Sequence, residues 1–332
     1  MKKACLLTAK IVLPLALFAF LLLRVDSADY EAFWNQPKHP GILLAAQFVA
    51  VTAITTSFLR WYLLVRAFDI PFTVVEALRL GFIGYMLNFV SFGSVGGDLF
   101  KAILVAKNKP EKRPEAVASV LLDRAIGLLG LVILAWISLS LASTETLTPA
   151  LKYIRGAAGT VAALAVVGLL FAITAGDWFD RVIEWCKRLP LVGSAIVRMA
   201  RAVRLLRRAP WMLVILMAMA LVVHGLLALT VFLVSCGIYQ QYPTLADHLM
   251  VVPPGMAAGA LPLAPGGIGL QEGALSSLFN ELDLPTGFSG MLVATVFRLV
   301  TIGIVGVGLV IYWLGHGREM MVSALSRKRS NV

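Results

Sequence analysis

Four charged residues stand where an otherwise apolar chain has little reason to carry charge. Asp98 closes a glycine-rich stretch, SFGSVGGD at 91–98, and Arg124 follows it by 26 residues. Glu272 closes a second such stretch, LAPGGIGLQE at 263–272, and Arg298 again follows by 26. An offset of 174 sets Gly93 on Gly267, Asp98 on Glu272 and Arg124 on Arg298. A planar guanidinium holds a phosphate through paired hydrogen bonds, and a nearby carboxylate balances charge or exchanges a proton. A helix that opens on a glycine turn presents unpaired N–H groups and partial positive charge to the same anion. The pattern therefore predicts a polar-headgroup site built from Gly96, Gly97, Gly266 and Gly267 at the turns and from Lys101, Arg124 and Arg298 as cations. Asp98, Asp123 and Glu272 are expected to balance charge or couple protons. Thr295 and Thr301, at i−3 and i+3 from Arg298, share its helix face and would line the same groove. Two simpler roles stay open: Asp98 and Glu272 as caps of their own short helices, and the arginines as side chains that snorkel to headgroups.

These residues need a scaffold, and composition says which. Of the 332 residues, 59% are hydrophobic and 14% charged, with a mean hydropathy of +0.87. Soluble domains are about 45–50% apolar. Apolar runs of about 20 residues recur, each able to cross about 30 Å of hydrocarbon as a helix. The expected fold is an all-α polytopic membrane protein, a single unit over 1–332. Its segments are expected at about 4–24, 42–65, 73–92, 115–141, 156–175, 211–235, 245–262 and 289–314. The first of them follows Met1-Lys2-Lys3 and is read as a retained helix, because Asp26 disfavours signal cleavage after Ala28.

The two glycine-rich stretches lead into shorter helices, about 98–107 and 269–280. At 1.5 Å per residue these cover only about 15–18 Å. They are expected to be re-entrant half-helices. On that topology the amino terminus, 60–79, 101–113, 177–208 and the carboxyl tail share one face, which gathers 23 of the 29 lysines and arginines. By the positive-inside rule that face is cytoplasmic. The halves, about 42–175 and 211–315, then form an inverted repeat, the arrangement of secondary transporters.

The net charge of +11 follows from this topology, so no nucleic-acid partner is expected. Within the basic loop 177–209, Arg198, Arg201, Arg204 and Arg208 recur every three to four residues among apolar ones. That is an amphipathic helix on an anionic leaflet or a solvated loop. Cys5, Cys186 and Cys236 are unclustered, and the histidines show no ligand spacing, so neither a metal nor another cofactor is expected. His224, within an apolar run, is read as a hydrogen-bonded packing residue, with a proton relay as the alternative.

The combination Asn88, Gly93, Gly96, Gly97, Asp98, Lys101, then Asp123-Arg124, then Pro265 through Glu272 resembles the lysylphosphatidylglycerol synthase transmembrane-region (flippase-like) family. The resemblance covers about 10–315. It implies an inner-membrane protein tied to polar lipids, with its substrate left open. Members fused to a carboxyl-terminal transferase make aminoacylated lipid. This chain stops at Val332 without such a domain, so it is not expected to be an enzyme.

The expected function is movement of a phosphate-bearing or other polar lipid between leaflets, with membrane lipids, chiefly anionic, as partners. Two alternatives are an integral-membrane transferase acting on a lipid phosphate and a non-catalytic partner of a lipid-modifying enzyme. An inverted repeat makes a first prediction. Single cysteines at Lys109 and Asp283 should react with impermeant reagents from opposite sides of the membrane. Labelling of both from one side rules the arrangement out.

Overall fold

The computed structural model describes residues 25–90, 96–108, 110–143, 145, 147–174, 210–260 and 265–330, together with 16, 19, 20 and 23. Every regular element among them is helical. Hydrocarbon offers no partner for backbone polar groups, so an apolar chain satisfies them within its own helices.

A short helix, α1 (Ser27–Asn35), is capped by the side chain of Asp26. It precedes α2 (Pro40–Ala67), α3 (Val74–Val90), α4 (Gly96–Asn108), α5 (Arg113–Leu141) and α6 (Pro149–Thr174). After the undescribed stretch come α7 (Pro210–Ile238), α8 (Leu245–Gly259), α9 (Leu270–Phe279) and α10 (Gly290–Ser330). Five helices are long and apolar enough to cross a membrane, within Pro40–Ala67, Arg113–Leu141, Pro149–Phe171, Trp211–Ile238 and Gly290–Trp313. They coincide with five of the eight expected segments. The expected helix at 4–24 and the loop at 177–209 fall almost wholly outside the described residues.

The other two expected segments are shorter than a span. Helix α3 has 17 residues and α8 has 15, about 25 and 22 Å. Each is followed by a helix shorter still, α4 with 13 residues and α9 with 10. Long helix, short pair, long helix thus occurs twice along the chain. Each pair also begins alike. Thr73 and Glu76 bond reciprocally at the start of α3, Glu76 accepting from the Thr73 N–H at 2.8 Å and Thr73 accepting from the Glu76 N–H at 3.2 Å. Thr244 and Asp247 do the same at the start of α8, again at 2.8 and 3.2 Å. Such a capping box satisfies two N–H groups that the first turn would leave unpaired.

Helices α2 and α7 join the halves. Ala46, Ala50 and Ala53 of α2 are fully buried in a core shared with Ala228, Val231 and Val234 of α7. Small residues of this kind let two helix backbones approach where no hydrophobic effect drives them together. A second core packs Trp61, Leu64 and Val65 of α2 with Ala102 and Val105 of α4, Ala116 and Val120 of α5, and Leu216 of α7. The short pairs are therefore wedged between long helices and do not stand free in lipid.

The closest approach lies within the first pair, at Gly97. A Cβ there would fall 1.8 Å from the Gly84 carbonyl oxygen. Gly97→Ala should lower thermal stability in detergent by about 1–3 kcal/mol through overpacking. Gly156→Ala, with nothing within 4 Å of the added carbon, should leave the melting curve unchanged. Equal behaviour of the two variants would mean that α3 and α4 do not pack in this way.

Candidate functional site

Helix α4 starts at Gly96, so Asp98 falls in its first turn, where the dipole favours a carboxylate. The side-chain carbonyl of Asn88, from α3, accepts the Gly97 N–H at 2.8 Å. Asp98 then meets two cations. Its Oδ1 lies 2.9 Å from Lys101 Nζ and its Oδ2 lies 2.8 Å from Arg124 Nη1. Lys101 is buried against the face of Trp61, 5.0 Å from the ring centre. Arg124 reaches away from this pair as well. Its Nη2 donates to the Ala260 carbonyl at 3.1 Å, just past the end of α8.

The second pair closes differently. Gly266, Gly267 and Gly269 all have positive φ, at 59°, 68° and 90°, which only glycine adopts without strain. Gly267 also packs so closely that a Cβ would lie 2.4 Å from the Gly259 carbonyl oxygen. Glu272 accepts the Gly269 N–H through Oε2 at 2.7 Å and the Nε–H of Arg298 through Oε1. Arg298 Nη1 donates to the Gly266 carbonyl at 3.1 Å, and Nη2 to Gln271 Oε1 at 3.3 Å. The guanidinium lies 5.8 Å from the ring centre of Phe89, near the end of α3.

Each acid of the repeated pattern thus holds the arginine 26 residues beyond it. The four residues form two ion pairs, and each pair reaches toward the other half of the chain, through Ala260 in one case and Phe89 in the other. Asp123 is bound elsewhere. It pairs with Arg60 of α2, Nε to Oδ1 at 2.8 Å, and Arg60 Nη2 donates to the Asp123 carbonyl at 3.2 Å. Arg60, expected among the cytoplasmic-face cations, is buried inside a spanning-length helix. Thr295 and Thr301 are buried but turn back on their own helix, donating to Met291 O and Arg298 O, both at 2.8 Å. His224 Nε2 lies 2.9 Å from the Gly127 carbonyl and so donates to it, a bond consistent with the packing role.

The family profile described as "Lysylphosphatidylglycerol synthase TM region" matches residues 8–308. The chain belongs to that family. A comparison with curated proteins found no match. Membership and five spanning-length helices together make this a multi-pass membrane protein connected with lipid metabolism or transport. Of the charged residues that carried the resemblance, Asp98, Lys101, Arg124 and Glu272 take part in the two ion pairs, while Asp123 pairs with Arg60.

Within this family member the two pairs are not equally open. The side chains of Arg298 and Glu272 are 4% and 1% exposed, those of Arg124 and Asp98 25% and 19%. Arg298 has all three guanidinium nitrogens engaged inside its own pair and works as a strap across the broken helix. Arg124 and Lys101 share a single carboxylate at a more accessible place. The first pair is the better candidate for contact with a ligand.

The Arg60–Asp123 bridge gives a test of what is scaffold. Breaking a buried pair leaves a lone charge and costs about 3–5 kcal/mol, whereas replacing both partners costs far less. Arg60→Met should lower the unfolding midpoint in detergent, and adding Asp123→Asn should recover most of the loss. Additive losses in the double variant would show that the two residues are not coupled.

Proposed function

We propose that this protein carries a phosphate-bearing or similarly polar lipid between the leaflets of the inner membrane. The headgroup sits where the two short helix pairs meet, and the acyl chains stay in the bilayer. One observation supports this above the rest: Asp98, Lys101 and Arg124 form a donor-rich, partly exposed cluster whose arginine is bonded to the end of the opposite pair. A phosphate arriving there has only acceptors to offer, and two cations to receive it.

In this reading both pairs are re-entrant. The first enters and leaves at the cytoplasmic face, the second at the outer face, so the halves are inverted and both termini are cytoplasmic. Broken helices that meet near the midplane from opposite sides are the parts alternating access uses. A headgroup that drew Arg124 off the Ala260 carbonyl would undo one polar link between the pairs and leave them able to shift. The strap of Arg298 would keep the second pair whole while they do so. The sequence has no GxxxxGK[ST] motif, so we read the movement as passive or gradient-driven rather than ATP-driven.

The test is leaflet exchange of a tail-labelled phospholipid in proteoliposomes containing this protein alone. Exchange without partner or cosubstrate supports translocation. Exchange that needs a second protein points to a membrane partner, and covalent conversion of the lipid points to a transferase. The arginines should separate. Arg124→Lys keeps the charge but loses the planar fork and should slow exchange about tenfold or more at unchanged thermal stability. Arg298→Lys cannot reach three acceptors at once and should cost about 2–4 kcal/mol of stability. If Arg124→Lys exchanges lipid at the wild-type rate, Arg124 does not hold the headgroup.

A further inference from the structure

The correspondence between the two ion pairs fails one helical turn on. Three residues after Asp98 stands Lys101; three residues after Glu272 stands Leu275. Lys101 is itself buried, with its ammonium on Asp98 and against Trp61. Leu275 is fully buried and apolar, packed on Gly255 of α8. One carboxylate therefore serves two cations in the first pair, where the second pair matches one with one.

We infer that Lys101 makes the first pair selective for headgroups of net negative charge over zwitterionic ones of similar size. This rests on the translocation reading for its place in a cycle, while the selectivity itself is a matter of binding.

Hydrogen-bond inventory carries the inference. Both oxygens of Asp98 face cationic donors, Lys101 Nζ on Oδ1 and Arg124 Nη1 on Oδ2. The ammonium of a zwitterionic headgroup has no acceptors, so it would come up against two cations with the nearest carboxylate already engaged. A phosphate with no ammonium beside it supplies acceptors alone and offsets the added positive charge. The distinction is sharpened by surroundings in which charges are screened weakly. At the second pair the same headgroup meets no such preference. The oxygens of Glu272 are taken by Gly269 and Arg298, the three nitrogens of Arg298 are engaged, and the neighbouring position is leucine. Charge is read on one side of the molecule only.

The experiment uses the full chain and two probes that differ in headgroup charge, tail-labelled phosphatidylglycerol and tail-labelled phosphatidylcholine. Their exchange is compared in phosphatidylcholine proteoliposomes, and each lipid's stabilisation of the protein against heat is measured in detergent. Wild type should favour phosphatidylglycerol about tenfold in exchange, the weight of one charge-assisted hydrogen bond. It should also be stabilised more by that lipid. Lys101→Leu, which copies the second pair, should bring the two lipids to near equality in both measurements. Lys101→Arg should keep the preference, which separates charge from packing. If wild type exchanges neither lipid, the translocation reading fails, and the detergent measurement alone decides the inference. Equal stabilisation of wild type by both lipids, or a preference that survives in Lys101→Leu, overturns it.

Discussion

A helix that stops leaves carbonyls and amides without partners in the helix, and in this protein an arginine from a neighbouring long helix meets part of that need. Arg298 takes the Gly266 carbonyl and Arg124 the Ala260 carbonyl. A guanidinium packed among apolar helices would itself be costly, and each is matched by the acid of the adjoining short helix. The break, the cation and the anion depend on one another. That mutual dependence explains why charges are so few in this chain and yet fall in repeated places. It also explains why the short pairs are wedged among long helices, since only protein can supply the bonds that lipid withholds.

The two breaks are resolved to different degrees. In the second pair, left-handed glycines bring the chain round tightly, and the side chains of Arg298 and Glu272 bond to each other and to residues of the turn at 266–271. In the first pair the bonds reach further, to Trp61 on α2 and to Ala260 in the other half, and the groups involved are more exposed. One pair fully engaged and buried, the other more exposed, is the asymmetry that binding at one and support at the other would require. The buried Arg60–Asp123 bridge matches one charge with one.

Much of this was legible beforehand because a few physical rules act locally. Runs of about 20 apolar residues marked the spanning helices, and glycine-rich stretches marked where α4 and α9 begin. The shared spacing of 26 residues from acid to arginine anticipated which residues belong together. What the sequence left illegible has equally specific causes. Arg60 lies near the end of its apolar run, where a cation normally signals topology, and its partner is 63 residues away; nothing local links them. The hydroxyls of Thr295 and Thr301 share a face with Arg298, but periodicity fixes only the face. Both hydroxyls bond back to their own helix, as threonine in a helix commonly does. The reciprocal caps at Thr73–Glu76 and Thr244–Asp247 were readable as T-x-x-E and T-x-x-D and would have strengthened the case for two related halves.

The bond from Arg124 to Ala260 spans 136 residues of sequence, and this has a consequence for biogenesis. When the ribosome has delivered α5 to the membrane, the acceptor for one arm of its arginine has not been made. At about 5–20 residues per second, that acceptor arrives roughly 7 to 27 s later. Until then the nascent first half holds a half-buried guanidinium without its Ala260 acceptor, whose place water in the insertion machinery or a lipid phosphate would have to take. Chains truncated between α5 and α8 would be held in that condition permanently. They are the fragments a membrane quality-control protease should recognise first.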